Sequence, residues 1–433
     1  MREGLSGLTV RGRAFLAAGI TAVLCSILLG QGPLARIGVL AGSLPLVTAF
    51  MIGRSRYRFA LVRTVTPTQV EAGQPARVEL ALTNEGRAPT GVLLLEEHLP
   101  YVLGNRPRFV LEGIGHGWRR HVSYQVRSDV RGRFEIGPMT VRVSDPFGLV
   151  ELGRSFRTTV PLIVTPRTIA LPAIPISGAW TGSGDNRPRA FAMGSAEDVT
   201  VREYRRGDDL RRVHWRSSAK VGELMVRREE QPWQSRATLF IDNRITAHRG
   251  HGVASSLEAA VSAAASIAVH LSQRGFAVRL VTAHGEDPQT VWHDRASSTN
   301  TTPLLESLAV LEATTLRQID TSWLGESSHS GLTVAILGAV TDHDHPVLNR
   351  MQHHAATSLA VAIDVAAWTG DGGDDRTSAW LGAHGWRAVP LGPRSKLPAV
   401  WQELGRTSNR RRAGAAYAQP GDAAALAGQE VAP

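Results

Sequence analysis

The chain has 433 residues, one cysteine and two lysines, and aromatic residues make up only 6% of it. Cys25 sits alone in an apolar run, so no disulfide framework and no cysteine-built metal site can form within the chain. Lys220 and Lys396 are the only lysines, and arginine carries nearly all of the cationic charge behind the formal +10. With abundant alanine and glycine, that bias is what GC-rich coding produces, and basicity by itself is no argument for a nucleic-acid partner.

Charge is absent from residues 14–30 (AFLAAGITAVLCSILLG) and 37–53 (IGVLAGSLPLVTAFMIG). Each run is about 17 residues, at the short end of what spans roughly 30 Å of hydrocarbon at about 1.5 Å per residue. A Gly-Pro turn with Arg36 joins them. No small-x-small cleavage site followed by polar sequence comes after the first run, which argues against a signal peptide. A transmembrane helical hairpin with basic flanks is expected over 1–60. Arg2, Arg11 and Arg13 precede it and Arg54, Arg56, Arg58 and Arg63 follow it, so charge places both ends in the cytoplasm. The chain is then a two-pass protein of the cytoplasmic membrane, its arginines beside an anionic leaflet.

From 61 to 168, short alternating segments such as ARVELALTNEG and RRHVSYQVRS are broken by turn residues, which predicts an antiparallel β-sandwich, immunoglobulin-like in outline. No His–carboxylate cluster or glycine-rich phosphate loop stands out there. Residues 145–149 (DPFGL) read as a tight corner packing Phe147. A Pro/Gly/Ser-rich stretch over 169–200 reads as a linker. From 201 to 404 the pattern turns α/β: ATLFID is a strand ending in Asp242, SLEAAVSAAASIAVHLSQR a helix closed by Gly275, and four further strands (FAVRLVTA, GLTVAILGAV, SLAVAID and WRAVPLG) alternate with helices near 303–316 and 346–356. That alternation predicts a parallel sheet with ligands at the carboxyl ends of its strands. Residues 405–433 read as a disordered tail.

Candidate chemistries are few. Asp242, Thr302 and Asp342 are candidate oxygen ligands for Mg²⁺, but in an Asp-x-Ser-x-Ser pattern Arg244 and Thr246 fall at the hydroxyl positions, and an arginine repels a metal ion. The preferred reading is a strand-end Asp242 that caps or bonds a neighbouring loop. His343, His345, His353 and His354 form a histidine cluster with Zn²⁺-compatible spacing and no cysteine. Ser217 and Lys220 match a Ser-x-x-Lys spacing, without the Ser-Asp-Asn and Lys-Thr-Gly partners of an acyl transferase.

The densest signal is 201–230, VREYRRGDDLRRVHWRSSAKVGELMVRREE, with nine Arg or Lys and six acids around a Gly-Asp-Asp turn. Asp208 or Asp209 is placed to cap a short helix on which Leu210, Val213 and Ser217 share a face. Interleaved acids argue against nucleic acid, leaving an internal ionic brace or a docking face. At these residues the chain resembles the bacterial domain-of-unknown-function 58 family, with Arg202, Tyr204, Gly207, Asp208, Arg212, His214, Trp215 and Lys220 matching its signature and 144–149 a second shared turn. Arg206 stands where a proline is common. The resemblance implies a von Willebrand factor A-like last domain with a degraded metal site. It also implies a role as membrane-bound partner of a MoxR-type AAA+ ATPase. The expectation is a non-enzymatic adaptor without cofactor, its docking residues being those of the signature. A metal-dependent hydrolase around Asp242 or a structural envelope scaffold is the alternative.

Overall fold

The computed structural model describes residues 7–54, 59–85, 92–111, 118–145, 147–175, 200–204, 213, 215–228, 235–288, 290, 300–324, 330–370 and 376–406. The chain divides into two compact units, Met1–Thr168 with Leu305–Leu311, and Ile169–Leu304 with Glu312–Pro433.

The first unit opens with α1 (Val10–Leu29) and α2 (Gly32–Arg54), both long and apolar enough to cross a membrane. Only 17% and 22% of their apolar windows is buried, so they are not core helices of the fold. They lie against each other through glycines. A Cβ on Gly19 would stand 2.5 Å from the Gly42 nitrogen, and one on Gly38 2.8 Å from the Val23 nitrogen. Lipid offers helices no hydrophobic reason to associate, and small residues permit the close backbone packing that takes its place. The α1 chain end is closed by Gly30 at φ 59°, whose N–H donates to the Ser26 carbonyl.

Ten strands follow: β1 (Phe59–Thr66), β2 (Gln69–Glu71), β3 (Pro75–Asn84), β4 (Val92–Glu97), β5 (Arg108–Leu111), β6 (Arg119–Arg127), β7 (Gly132–Ile136), β8 (Met139–Ser144), β9 (Glu151–Phe156) and β10 (Val160–Thr165). They form sheets ordered β1-β3-β6, β2-β10-β7 and β5-β4-β8-β9. Every pairing is antiparallel except β2 with β10, which corrects a wholly antiparallel reading. Alternation drives the burial: Ala76, Val78, Leu80 and Leu82 of β3 are each at most 1% exposed and share a core with Leu93, Leu95, Val141 and Val143. Each buried valine or leucine contributes about 1.5–3 kcal/mol.

One inward position of β1 is charged. Arg63, counted above among the lipid-facing cations, points inward and meets Glu97 at 2.6 Å, with side chains 1% and 0% exposed. Its other Nη donates to the Thr158 carbonyl at 2.6 Å. Burial pushes the Glu97 carboxyl up, and the Arg63 cation only partly opposes that.

The second unit carries β11 (Thr200–Glu203), α3 (Trp215–Val221), β12 (Met225–Arg228), β13 (Ser235–Ile241), α4 (Ser256–Gln273), β14 (Phe276–Thr282) and β15 (Gly285–Glu286). Then come α5 (Thr302–Ala309), whose residues from Leu305 on are counted in the first unit, β16 (Ser330–Leu337), α6 (His345–His353), β17 (Ala355–Ile363), α7 (Val365–Thr369), α8 (Arg376–Ala383), β18 (Arg387–Leu391) and α9 over 397–406. The sheet order is β15-β14-β13-β16-β17-β18. Its last five strands run parallel, whereas β15 is antiparallel to β14, so the sheet is mixed rather than purely parallel. Only Ala283 and His284 separate β14 from β15, too short for a crossover, so the chain can only fold back. The alanine-rich α4 starts at Ser255, whose hydroxyl accepts from the Glu258 N–H, and Gly275 follows its end at φ 81°.

Three boundaries shift. α5 stops at Ala309 and α6 at His353, each short of the periodic reading. Gly405 and Arg406, assigned to the tail, are the last residues of α9. The expected linker residues 176–199 and tail residues 407–433 lie outside the described residues, while Ile169 and Ile174 pack into the second unit, the first through a 3.0 Å bond to the Ser266 hydroxyl.

Gly38→Leu is expected to lower the thermal transition of the detergent-solubilised full chain by several degrees, with Gly32→Ala, where a Cβ meets nothing, as the silent control. Differential scanning of the two variants checks this.

Candidate functional site

The carboxyl end of β13 gathers the densest set of buried polar side chains among the described residues. Asp242 follows the strand and is 0% exposed, and its N–H donates to the Ile336 carbonyl of β16. The chain then turns so that Arg244, 3% exposed, folds back onto it. Arg244 Nε donates to Asp242 Oδ1 at 2.9 Å and one Nη to Oδ2 at 2.8 Å, a two-pronged fit of guanidinium to carboxylate. The other Nη reaches Asp344 Oδ1 at 2.6 Å and the Arg317 carbonyl at 3.1 Å. Asp344 in turn accepts from the Thr341 N–H at 2.9 Å and hydroxyl at 2.8 Å. One cation thus clasps two buried carboxylates from loops after β13 and β16.

Neighbours lock the clasp in place. His248 Nε2 lies 2.6 Å from the Asp242 carbonyl, so that nitrogen carries the proton and Nδ1 accepts from the Ser256 hydroxyl at 3.1 Å. The same Ser256 oxygen accepts from the Arg249 N–H at 2.9 Å. Asn243 donates to the Glu312 carbonyl at 2.8 Å and accepts from the Ala283 N–H at 3.2 Å, tying in the loop after β14.

Electrostatics follow the geometry. Burial alone would raise the Asp344 carboxyl, but hydrogen bonds from Arg244 and Thr341 outweigh it and hold the group below the ordinary carboxylate range. For Arg244 burial opposes the charge, and the bonds to Asp242 and Asp344 more than reverse that, raising its affinity for the proton. Burial keeps His248 neutral by pushing its pKa down, against the bond to the Asp242 carbonyl.

The metal candidates are therefore only partly brought together. Asp242 is in place, but its partner is Asp344; Asp342 is fully exposed at 3.8 Å from His345, and Thr302 begins α5 with its N–H on Asn300. Arg244 donates to both Asp242 oxygens and to one of Asp344, the acceptors a cation would need. Asp344 had a readable signal: Thr341-x-x-Asp344 is a capping box, each side chain bonding the other's backbone. The histidine cluster is not assembled as a metal site either. His345 stacks on Trp380 at 3.8 Å between ring centres, and Trp380 on His384 at 4.0 Å. Among the described residues, no group of three or more His, Cys, Asp or Glu is placed to hold a metal ion.

In the signature, Arg202 lies on β11, which pairs antiparallel with β12, and the half-buried Tyr204 donates its N–H to Leu224 at 2.8 Å. Gly207, Asp208, Arg212 and His214 lie outside the described residues, as do Asp209 and Leu210. The helix begins at Trp215, later than expected, and Val213 instead bridges Val226, buried at 8%. Ser218 turns inward and accepts from the Met225 N–H at 2.8 Å, bracing α3 against β12. Trp215 is 71% exposed, Val221 58% and Leu224 41%, with Arg216 and Lys220 exposed beside them.

Removing the clasp cation leaves two buried carboxylates facing each other. Arg244→Ala is expected to cost the full chain about 3–5 kcal/mol in denaturant unfolding. Arg244→Ser would lose similar stability in chelator and regain part of it with added Mg²⁺, a recovery absent from the parent; the same titration run with and without Mg²⁺ checks it.

No curated protein matches the chain. Solved structures that resemble parts of it include the CARDB domain of a Pyrococcus furiosus protein in complex with di-metal ions, at 14% identity over 25% of this chain and 93% of that one, TM-score 0.20. Others are the complex of zinc 2-glycoprotein and prolactin inducible protein from human seminal plasma (13% identity, 26% and 98% covered, TM-score 0.21) and the Pseudomonas fluorescens alkylpurine DNA glycosylase AlkC bound to DNA with an abasic site analog (16% identity, 30% and 39% covered, TM-score 0.16). Overlaps this slight carry no argument about fold or function. Residues 200–367, which hold α3, the Arg244 clasp and Asp344, match the family described as protein of unknown function DUF58.

Proposed function

We propose that the protein is a non-enzymatic, membrane-anchored adaptor that presents its signature segment to a MoxR-type AAA+ ATPase on the cytoplasmic face. The observation that carries this reading is the exposure of Trp215. An indole 71% open to water, on a short helix that also exposes Arg216, Lys220 and Val221, is an unburied aromatic anchor among cations, the kind of side chain that binding surfaces use. An internal brace would bury those side chains; in this segment the inward role falls to Ser218 and Val226.

The second unit is read as von Willebrand A-like, and the first unit's sheets as an immunoglobulin-like sandwich. Asp242 at the carboxyl end of a parallel strand supports the former, with Arg244 standing in the place of the cation. That clasp weighs against a metal-dependent hydrolase, because its carboxylates already accept from a guanidinium that would repel a second cation. A Ser217–Lys220 acyl transferase gains no support, since Lys220 is exposed to water rather than desolvated as a lysine base would need to be. A structural envelope scaffold differs from an adaptor in its companions, which co-purification separates.

Trp215→Ala combined with Val221→Ser is expected to reduce capture of the ATPase by the full chain at least several-fold while moving its thermal transition little. Unchanged capture, or a large loss of stability, would return the segment to an internal role. The two-pass orientation predicts that a periplasm-only reporter fused to the C-terminus stays silent, and a cell carrying that fusion tests it directly.

A further inference from the structure

The turn over 145–149 was expected to bury Phe147. Instead Leu149 and Val150 are buried at 2% and 0%, while Phe147 is 60% exposed. The loop is stiff. The Asp145 carboxylate accepts from the Phe147 N–H at 3.0 Å and the Val150 N–H at 2.7 Å, and the Gly148 N–H donates to the Asp145 carbonyl at 3.0 Å. A rigid loop that holds an aromatic ring out in water gains nothing for folding from that ring.

The place where it is held suggests its use. Residues 7–9 pair with the chain after this loop: the Thr9 N–H donates to the Leu149 carbonyl at 2.9 Å and the Glu151 N–H to the Gly7 carbonyl at 2.8 Å. The Thr9 hydroxyl donates to the Gly148 carbonyl at 2.7 Å and also accepts from the Gly12 N–H, capping α1. Contact is so close that a Cβ on Gly12 would lie 2.2 Å from the Leu149 oxygen. The loop is therefore clamped beside the first turn of a helix long enough to cross a membrane. Exposed Arg11 and Arg13 share that turn, and a Cβ on Gly148 would lie 3.8 Å from an Arg11 Nη.

We infer that the 145–150 loop is a second membrane contact, inserting Phe147 into the phospholipid headgroup layer of the leaflet that α1 enters. A phenyl ring gains from burying its apolar area at the headgroup–acyl boundary, and the neighbouring arginines match the charge of anionic lipids. The occupant is lipid because the clamp fixes the ring to the helix entrance. This rests on the reading that α1 and α2 cross the membrane.

The test uses the full chain in vesicles of phosphatidylethanolamine and phosphatidylglycerol carrying shallow acyl-chain spin labels, with an environment-sensitive fluorophore on one thiol. Three positions are compared: native Cys25 within α1, and Phe147→Cys or Tyr101→Cys in a Cys25→Ser background. Tyr101 is 94% exposed. It follows the end of β4 that pairs with Met139, whereas the loop follows Ser144 at the other end of β8. The expected result is blue-shifted, strongly quenched emission at 147, water-like emission at 101, and lipid-exposed emission at 25. Water-like emission at 147 with Cys25 in lipid overturns the inference and leaves the membrane anchor standing. Water-like emission at Cys25 removes the anchor and the inference together. Equal quenching at 101 and 147 also overturns it, since lipid would then cover the unit without regard to the loop.

Discussion

The second unit depends on one buried cation. Strands β13 and β16 end in loops that each send a carboxylate inward, and a buried carboxylate is costly without a hydrogen-bonding partner. Arg244 answers both, at 2.8 Å and 2.6 Å, and so fixes the two loops to each other. His248, Asn243 and Thr314 are then positioned around backbone groups that the clasp holds still. A fixed internal guanidinium makes the strand ends a finished structural edge. The exposed side chains of the signature segment lie elsewhere, on α3.

The first unit solves a comparable problem where helix meets sheet. The start of the long apolar helix α1 is fixed to the sheet by Thr9, whose one hydroxyl both caps α1 and bonds the Gly148 carbonyl. Gly12 keeps the approach open. Hydrogen bonds thus link Asp145, Phe147 and Gly148 to the start of the helix.

Much of this was legible along the chain. Charge-free runs gave α1 and α2, and alternation gave β3 with its inward Ala76, Val78, Leu80 and Leu82. Apolar runs gave β13, β14, β16, β17 and β18, and the alanine-rich amphipathic segment gave α4. What failed was pairing. Arg63 read as a juxtamembrane cation and is the buried partner of Glu97; Asp342 read as the second acid and is exposed, while Asp344 is buried. Phe147 read as an anchor because it is apolar, although backbone bonds to Asp145 already shape that turn.

The sequence by itself determined the element types, because periodicity and charge act over a few neighbouring residues and need no partner. It also determined that the α/β segment would bury a parallel array. Only the tertiary structure decided which polar side chains meet. Arg244 and Asp344 stand 100 positions apart and Thr9 and Gly148 139 apart, and such pairs exist only once the sheet or the helix entry has been built around them. A local pattern carries no record of that closure, since the same arginine in a different register would face water.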